Sequence, residues 1–369
     1  MQQTTVEEYR KGKDLVLLSP TGSGKTIAYL LPLVLSLKNE NVLQAVVLVP
    51  SRELALQIEQ VFKSMGTGIP VMSCYGGRPA MDEHRTMKSL NPQVIVGTPG
   101  RMNDHLNKGN IDASHVHTLV IDEFDKCLEM GFQEEMSEVI VQIPYLKRRF
   151  LLSATDAPAI PRFVSEGDFL KLNFLEDEEQ IPERIKVYTV KSPEKDKLEV
   201  LSKLLCYLGD KSSLVFVNYR ESVERVYRYL LQAGISCEMF HGGMEQKDRE
   251  RALYKFSNGS CNVFVSTDLA ARGLDIPNID HVIHYHLPLN EDAYIHRNGR
   301  TARWDASGNV FLILGPEEYL PEFIQQIPED YVWEGPKPDP AKPQWVTLYI
   351  GKGKKDKINK VDIVGFLSK

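Results

Sequence analysis

Ser19-Pro20-Thr21-Gly22-Ser23-Gly24-Lys25-Thr26 follows the apolar run Leu15 to Leu18 and precedes the helix-like stretch Ile27 to Leu37. A strand, a glycine-rich turn and a helix in that order demand an α/β sheet with the helix packed back on it. Gly22 and Gly24 let the backbone curl, so that its N–H groups and the helix N-terminus point at phosphate oxygens. Thr21 and Ser23 complete the loop, Lys25 adds a positive charge and Thr26 offers a hydroxyl to Mg²⁺. ATP or GTP is the implied ligand. The general pattern has Gly at position 19, where this chain has Ser, and a glycine-rich turn before an ordinary helix is the competing reading.

The same alternation continues along the chain. Short apolar or β-branched runs at Ala45 to Val49, Val94 to Val96, Thr118 to Ile121 and Arg149 to Leu152 are separated by longer amphipathic stretches, the pattern of a parallel sheet covered on both faces. After the acidic connector Glu176 to Glu179 the theme restarts, with strands expected at Ile185 to Val190, Ser213 to Val217, Val263 to Ser266, His281 to Tyr285 and Asn309 to Leu314. At 369 residues the chain has room for two such domains and a tail. The reading is therefore a first domain over 1–173, a linker over 174–183, a second domain over 184–326, a Pro-rich linker over 327–343 and the opening of a small third domain over 344–369. That last piece holds a strand-like run, Trp345 to Ile350, several lysines and an amphipathic segment, too little to bury a core alone. The chain thus reads as stopping inside its third domain.

The net charge of −6 gives no global field that recruits nucleic acid, so any such site must be a local basic surface. Cys74, Cys127, Cys206, Cys237 and Cys261 lack CxxC spacing, which argues against zinc and against a disulfide framework and reads as reduced thiols in a cytoplasmic protein. The longest apolar stretch contains Pro32 and is too short to span a bilayer, so no membrane partner is expected.

Leu119-Val120-Ile121-Asp122-Glu123-Phe124-Asp125 delivers two adjacent carboxylates to the end of a strand, where ligands sit in open α/β sheets. Asp122 is placed to bind Mg²⁺, and Glu123 to orient or activate a water for hydrolysis of a γ-phosphate. Alone, such a pair is usually a solvated edge; after a phosphate loop it reads as the other half of one site. His296-Arg297-Asn298-Gly299-Arg300-Thr301-Ala302-Arg303 clusters arginines on about one helical turn. A surface salt-bridge cluster is one reading, and an arginine finger supplied by the second domain is the other.

Together these blocks resemble a superfamily 2 helicase of the DEAD-box class, from the first residues to about Leu314. The resemblance implies two RecA-like P-loop domains in tandem that clamp ATP, Mg²⁺ and single-stranded RNA between them. Gln2 resembles the adenine-reading glutamine of the family's Q motif, which implies ATP over GTP. Pro50-Ser51-Arg52-Glu53-Leu54-Ala55, Gly76-Gly77 and Thr98-Pro99-Gly100-Arg101 resemble the RNA-backbone motifs of the first domain. Arg52 and Arg101 bring charge, and turns beside helix starts bring N–H groups, suited to phosphates rather than bases. Ser153-Ala154-Thr155 is similar to the motif that links nucleotide state to closure, with Asp125 as its hydrogen-bond partner. In the second half, Phe216-Val217-Asn218, Gln246 with Arg249, and Thr267-Asp268 through Asp275 resemble the remaining motifs. They imply RNA contacts for Gln246, Arg249, Thr267 and Asp268 and an ATP-ribose contact for Asp275. Arg300 and Arg303 become the γ-phosphate arginines, and His296 and Arg297 are expected to knit the closed interface.

The departures are Phe124 where the family has Ala, Ser19-Pro20 where Ala-Gln is more usual, and no aromatic residue before Gln2 to stack on adenine. The tail from Trp345 resembles the RRM-like RNA-binding domain of DbpA-type and cold-shock members, which places ribosomal RNA among the candidate targets. The leading expectation is a monomeric ATP-dependent RNA helicase, with RNA-stimulated hydrolysis coupled to unwinding of single-stranded or duplex RNA substrates in ribosomal RNA maturation. An ATP-gated RNA clamp or assembly factor with little strand separation is the alternative, and a DNA helicase of the same superfamily a third.

Overall fold

A computed structural model describes the chain except for residues 21–22, 78, 156–159, 165–168, 176–184, 269–278, 302–306, 325, 352, 354–355 and 369. The first sheet contains β1 (Asp14–Leu18), β2 (Ala45–Leu48), β3 (Val71–Cys74), β4 (Val94–Gly97), β5 (Thr118–Ile121), β6 (Arg148–Ser153) and β7 (Phe169–Asn173). Its order is β3-β4-β2-β5-β6-β1-β7, and every pairing is parallel. The second contains β8 (Ile185–Lys191), β9 (Ser213–Phe216), β10 (Cys237–Phe240), β11 (Val263–Ser266), β12 (His281–His284), β13 (Gly308–Leu314) and β14 (Glu329–Asp330). Its order, β10-β11-β9-β12-β13-β8-β14, repeats the first strand for strand, again all parallel.

Central strands carry uninterrupted apolar runs because helices cover both faces of each sheet. On β2, Ala45 and Val47 enter one core with Leu15, Leu17, Ile58 and Phe62, while Val46 and Leu48 enter the other with Leu119, Ile121, Phe124 and Leu151. The second sheet divides its core the same way, Val215 and Phe311 to one side and Leu214 and Phe216 to the other. Phe124 is nearly fully buried, so the residue that departs from the family's Ala fills core space beneath the two carboxylates.

Two features of the C-terminal third differ from expectation. The second sheet runs past residue 326: Glu329 and Asp330 pair with Tyr188 and Thr189, and Tyr331 N–H donates to the Thr189 carbonyl at 2.8 Å. Trp333 then lies under the Lys203 ammonium, 4.2 Å from ring centre to nitrogen, and Tyr207 donates to the Gly335 carbonyl at 2.7 Å. The residues read as the start of a linker therefore finish the second domain. Trp345 to Ile350, by contrast, forms no strand. A β-strand is stable only with a partner for its backbone groups, and this run instead lies against helix Gln246–Ser257 and its cap, with Asn258 donating to Thr347 at 2.9 Å and Arg251 over the Tyr349 ring at 4.5 Å. The last helix, Lys360–Leu367, buries no residue. Lys352, Lys354 and Lys355 fall outside the described residues.

All five cysteines are free and buried, two in the first domain and three in the second. Burial pushes the Cys74, Cys127, Cys237 and Cys261 thiols well up from their usual range. Among the described residues, no helix is long and apolar enough to cross a membrane.

Candidate nucleotide site and interdomain cleft

The loop after β1 ends at Gly24, whose φ of 89° is a left-handed conformation that glycine adopts without strain. A Cβ at that position would lie 2.7 Å from Gln2 Nε2, so helix Gln2–Arg10 lays its first glutamine against the phosphate loop. Lys25 opens helix Lys25–Ser36, is buried, and donates to the Ser19 carbonyl at 2.5 Å. Burial lowers its pKa, and the carboxylates of Asp122, Glu123 and Asp125 oppose that loss. Ser23 donates to the Pro20 carbonyl at 2.8 Å, and Thr26 follows Lys25 in the first helical turn. Thr21 and Gly22 lie outside the described residues.

Asp122 stands one residue beyond β5, its N–H held by the Leu48 carbonyl at 2.9 Å and its carboxylate accepting from Glu123 N–H at 2.9 Å. Glu123 turns the chain into helix Phe124–Glu129 at φ 50°, a left-handed backbone that costs a non-glycine residue energy, and its carboxylate acts electrostatically on Lys25. Burial raises both carboxyls; Glu123 is pushed up to about 7 by desolvation and by Asp122, against the pull of Arg300 and Lys25. Glu123 Oε2 and Asp125 Oδ1 are buried and accept no hydrogen bond among the described residues. Asp125 Oδ2 accepts from Thr155 Oγ1 at 3.1 Å, and Thr155 N–H donates to Ser153 Oγ at 3.1 Å, which ties the end of β6 to the carboxylate helix.

Arg300 is buried at the end of helix Glu291–Asn298 and acts electrostatically on both Glu123 and Lys25, so the second domain reaches the first domain's carboxylates. His296 is buried on the same helix. Arg303 and Asp275 fall outside the described residues. Arg297 behaves differently from expectation. Its guanidinium grips Asp268 through two bonds of 2.5 and 2.7 Å, the Asn218 side chain at 2.8 Å and the His286 carbonyl at 2.7 Å, and lies over the Phe216 ring. All these partners belong to the second domain. A fully buried guanidinium needs acceptors around its whole fork, and the strand ends of the second sheet supply them. Arg297 therefore ties that sheet together rather than knitting the interface, and Asp268, expected at RNA, is engaged as its partner.

The remaining motif residues meet between the domains. Pro50, Arg52, Gly76, Thr98, Gly100 and Arg101 of the first domain and Arg249 and Thr267 of the second line one cavity of about 500 Å³. Pro99 opens helix Pro99–Asn107 beside it. Arg52 donates to Gln246 Oε1 at 3.1 Å, and Arg249 pairs with the buried Glu53 at 3.0 Å, so two polar links cross the cleft. Arg101 is held by Glu83 at 3.2 Å, which also bonds His105 at 2.9 Å. Lys126, Phe132, Arg220 and Gly242 line the same cavity without having been read from the sequence.

One signal could have found Arg220 and Gly242. Arg52 begins the helix after β2 and packs on Gly76 and Gly77, whose φ of 96° and contact with the guanidinium leave no room for a Cβ. Arg220 begins the helix after β9, and a Cβ on Gly242 would lie 3.2 Å from its guanidinium. The chain thus repeats Arg-Glu after one strand and Gly-Gly after the next, once in each domain.

Residues 1–161 match the DEAD/DEAH box helicase family and residues 196–305 the helicase conserved C-terminal domain. The chain is 36% identical to the ATP-dependent RNA helicase CshA of Listeria monocytogenes over 86% of its own length and 62% of that protein. It is 31% identical to the ATP-dependent RNA helicase DbpA of Bacillus subtilis over 100% of its own length and 84% of that protein. It thus spans under two thirds of the first CshA relatives, 62% and 66% of their lengths. The structure resembles S. cerevisiae Dbp5 bound to RNA and ADP BeF3 with a TM-score of 0.75 and 28% identity, covering 86% of this chain and 83% of that one. That coverage takes in both sheets, so the tandem RecA-like arrangement is shared as well as each domain. With the phosphate loop, the paired carboxylates and the second-domain arginine in their places, and with relatives along the whole length, the chain belongs to the DEAD-box family of ATP-dependent RNA helicases.

Proposed function

We propose that this chain is an RNA-dependent ATPase that separates short RNA duplexes. The observation that carries the proposal is that neither site is complete in one domain: Arg300 reaches the Lys25 and Glu123 site from the second domain, and residues of both domains line the cleft. ATP phosphates would sit on the loop N–H groups and Lys25, with Gln2 against the adenine side. The two buried, unbonded carboxylate oxygens of Glu123 and Asp125, beside Asp122, fit a divalent cation and its waters. Mg²⁺ held by Asp122 and Thr26 would neutralise charge on the β- and γ-phosphates. Glu123 would orient the attacking water and receive its proton, and Arg300 would stabilise charge on the transferring phosphoryl group. Arg52, Arg101, Arg220 and Arg249 would hold the RNA backbone, reading phosphates rather than bases. Because RNA and ATP each need both domains, each favours the closed arrangement that the other requires.

The names of the relatives and the RNA in the Dbp5 structure support RNA as the partner. A ribosomal RNA target is supported by the resemblance to DbpA along the whole chain, a cytoplasmic site of action by the buried free thiols, and a monomer by two complementary domains within one chain. The cross-cleft links Arg52–Gln246 and Arg249–Glu53 favour a second reading, an ATP-gated clamp with little strand separation.

The test is ATP turnover with and without single-stranded RNA or DNA, paired with unwinding of a short RNA duplex. RNA-specific stimulation, lost by about a thousandfold in Glu123→Gln, supports the proposal. Stimulated turnover without unwinding moves the function to the clamp, and absence of RNA stimulation defeats both.

A further inference from the structure

Lys126 lines the interdomain cavity and also touches Asp125 of the nucleotide side, so it stands between the two sites. Helix Phe124–Glu129 is short, and its consecutive residues serve different neighbours: Asp125 bonds Thr155 on the nucleotide side, while Lys126 lines the interdomain cavity with Thr98, Arg101, Phe132 and Arg220. The lysine side chain is only 3% exposed. An ammonium is costly to bury, and a residue needed only to fill that space would be apolar. Its nitrogen lies 2.6 Å from Glu129 Oε1 and 3.7 Å from Asp125 Oδ2, a hydrogen bond to the first and an ion pair without hydrogen-bond geometry to the second. The same Asp125 oxygen accepts the Thr155 hydroxyl. A lysine has three donors, so one ammonium can hold Glu129, lean on Asp125 and still meet an anion in the cavity.

Resting on the RNA-dependent ATPase reading above, we infer that Lys126 is a positioning residue that reports RNA occupancy of the cleft to the hydrolytic carboxylates. A phosphate in the cavity competes with Asp125 for the ammonium. As the ammonium shifts toward RNA, Asp125 Oδ2 is released from the weaker ion pair and left to Thr155 alone, so the existing tie between the carboxylate helix and the end of β6 tightens when RNA is present. No bond is made or broken; the step is a change of electrostatic partner.

The experiment measures ATP turnover as a function of single-stranded RNA concentration in the full chain, together with RNA affinity in the presence of a non-hydrolysable ATP analogue. Lys126→Met is expected to lower the maximal RNA-stimulated kcat about tenfold while shifting RNA affinity by under about threefold, and Lys126→Arg is expected to restore most of the loss. Wild-type-like stimulation in Lys126→Met would overturn the inference. So would parallel losses of RNA affinity, kcat and thermal midpoint that Lys126→Arg fails to rescue, since those mark a purely structural lysine. Lack of RNA stimulation in the unaltered protein would instead defeat the reading on which the inference rests, so the two failures are distinguishable.

Discussion

The two sheets share strand order, and at the same place in each a buried lysine follows the strand that lies second from the edge. Lys25 follows β1 after a six-residue loop and Lys197 ends the six residues after β8. Both donate to a backbone carbonyl, Lys25 to Ser19 at 2.5 Å and Lys197 to Ile313 at 2.9 Å. They differ in what else they meet. Lys197 holds Glu318 at 2.7 Å, and the same carboxylate accepts from Gly315 N–H at 2.8 Å. Burial works against that charge, yet Lys197 and the Gly315 N–H hold Glu318 below the usual carboxylate range. The second domain thus carries its own anion where the first keeps a glycine-lined loop facing Asp122 and Glu123. One fold makes a receptor or a closed scaffold according to how close the lysine's counter-charge stands: Glu318 accepts directly from Lys197, while Asp122, Glu123 and Asp125 act on Lys25 electrostatically.

Exchanging the two lysines is the sharpest way to break this comparison. Lys25→Met should lower kcat/KM for ATP by about a hundredfold or more, with little change in thermal midpoint. Lys197→Met should leave the KM for ATP unchanged and cost about 1–2 kcal/mol of stability, discounted because Glu318 is partly exposed. If both variants lost ATP in equal measure, the division of labour between the domains would be wrong. Next in size, Arg297→Ala leaves the half-buried Asp268 without its fork and the Asn218 and His286 oxygens without a donor, and should destabilise the second domain by about 2 kcal/mol, visible by denaturant melting. An unchanged midpoint with lost ATP turnover would return Arg297 to the interface.

The smallest effect is the dependence on pH. Glu123, raised to about 7, must be ionised to accept a proton, so turnover should fall as pH drops below about 7 and level off above it, a step that Glu123→Gln removes. For stability the sign is opposite. The folded carboxyl holds its proton more tightly than the unfolded one, so its contribution is present at low pH and lost as pH rises from 4.5 to about 7. Lys197 and Glu318 should add no such step to turnover, since both lie outside the nucleotide site.

Local chemistry made the phosphate loop, Asp122-Glu123 and the order of central strands legible in the sequence. Each is a short run whose residues meet their function within a few positions. The four strands that the pattern did not mark are β3, β7, β10 and β14, and each is a sheet edge. An edge strand has one neighbour and needs no long apolar run, as the exposed and half-buried β7 and β14 demonstrate. Trp345 to Ile350 failed in the other sense: it has the composition of a strand and no ladder to join. Spacing placed Arg297 and Arg300 on one turn, yet only the fold decides that the first faces Asp268 and the second faces Glu123. Lys126 was invisible because, beyond its partners Asp125 and Glu129, it lines a cavity built by residues from distant segments such as Thr98 and Arg220.

The placement of the cysteines gives the molecule a built-in clock for its own breathing. Thiols that are buried and kept protonated alkylate slowly at neutral pH, so each reacts only when its surroundings open. Cys74 and Cys127 report on one half and Cys206, Cys237 and Cys261 on the other, and peptide-resolved labelling would time the loosening of the two halves separately. A ligand gripped by both should slow the two clocks together.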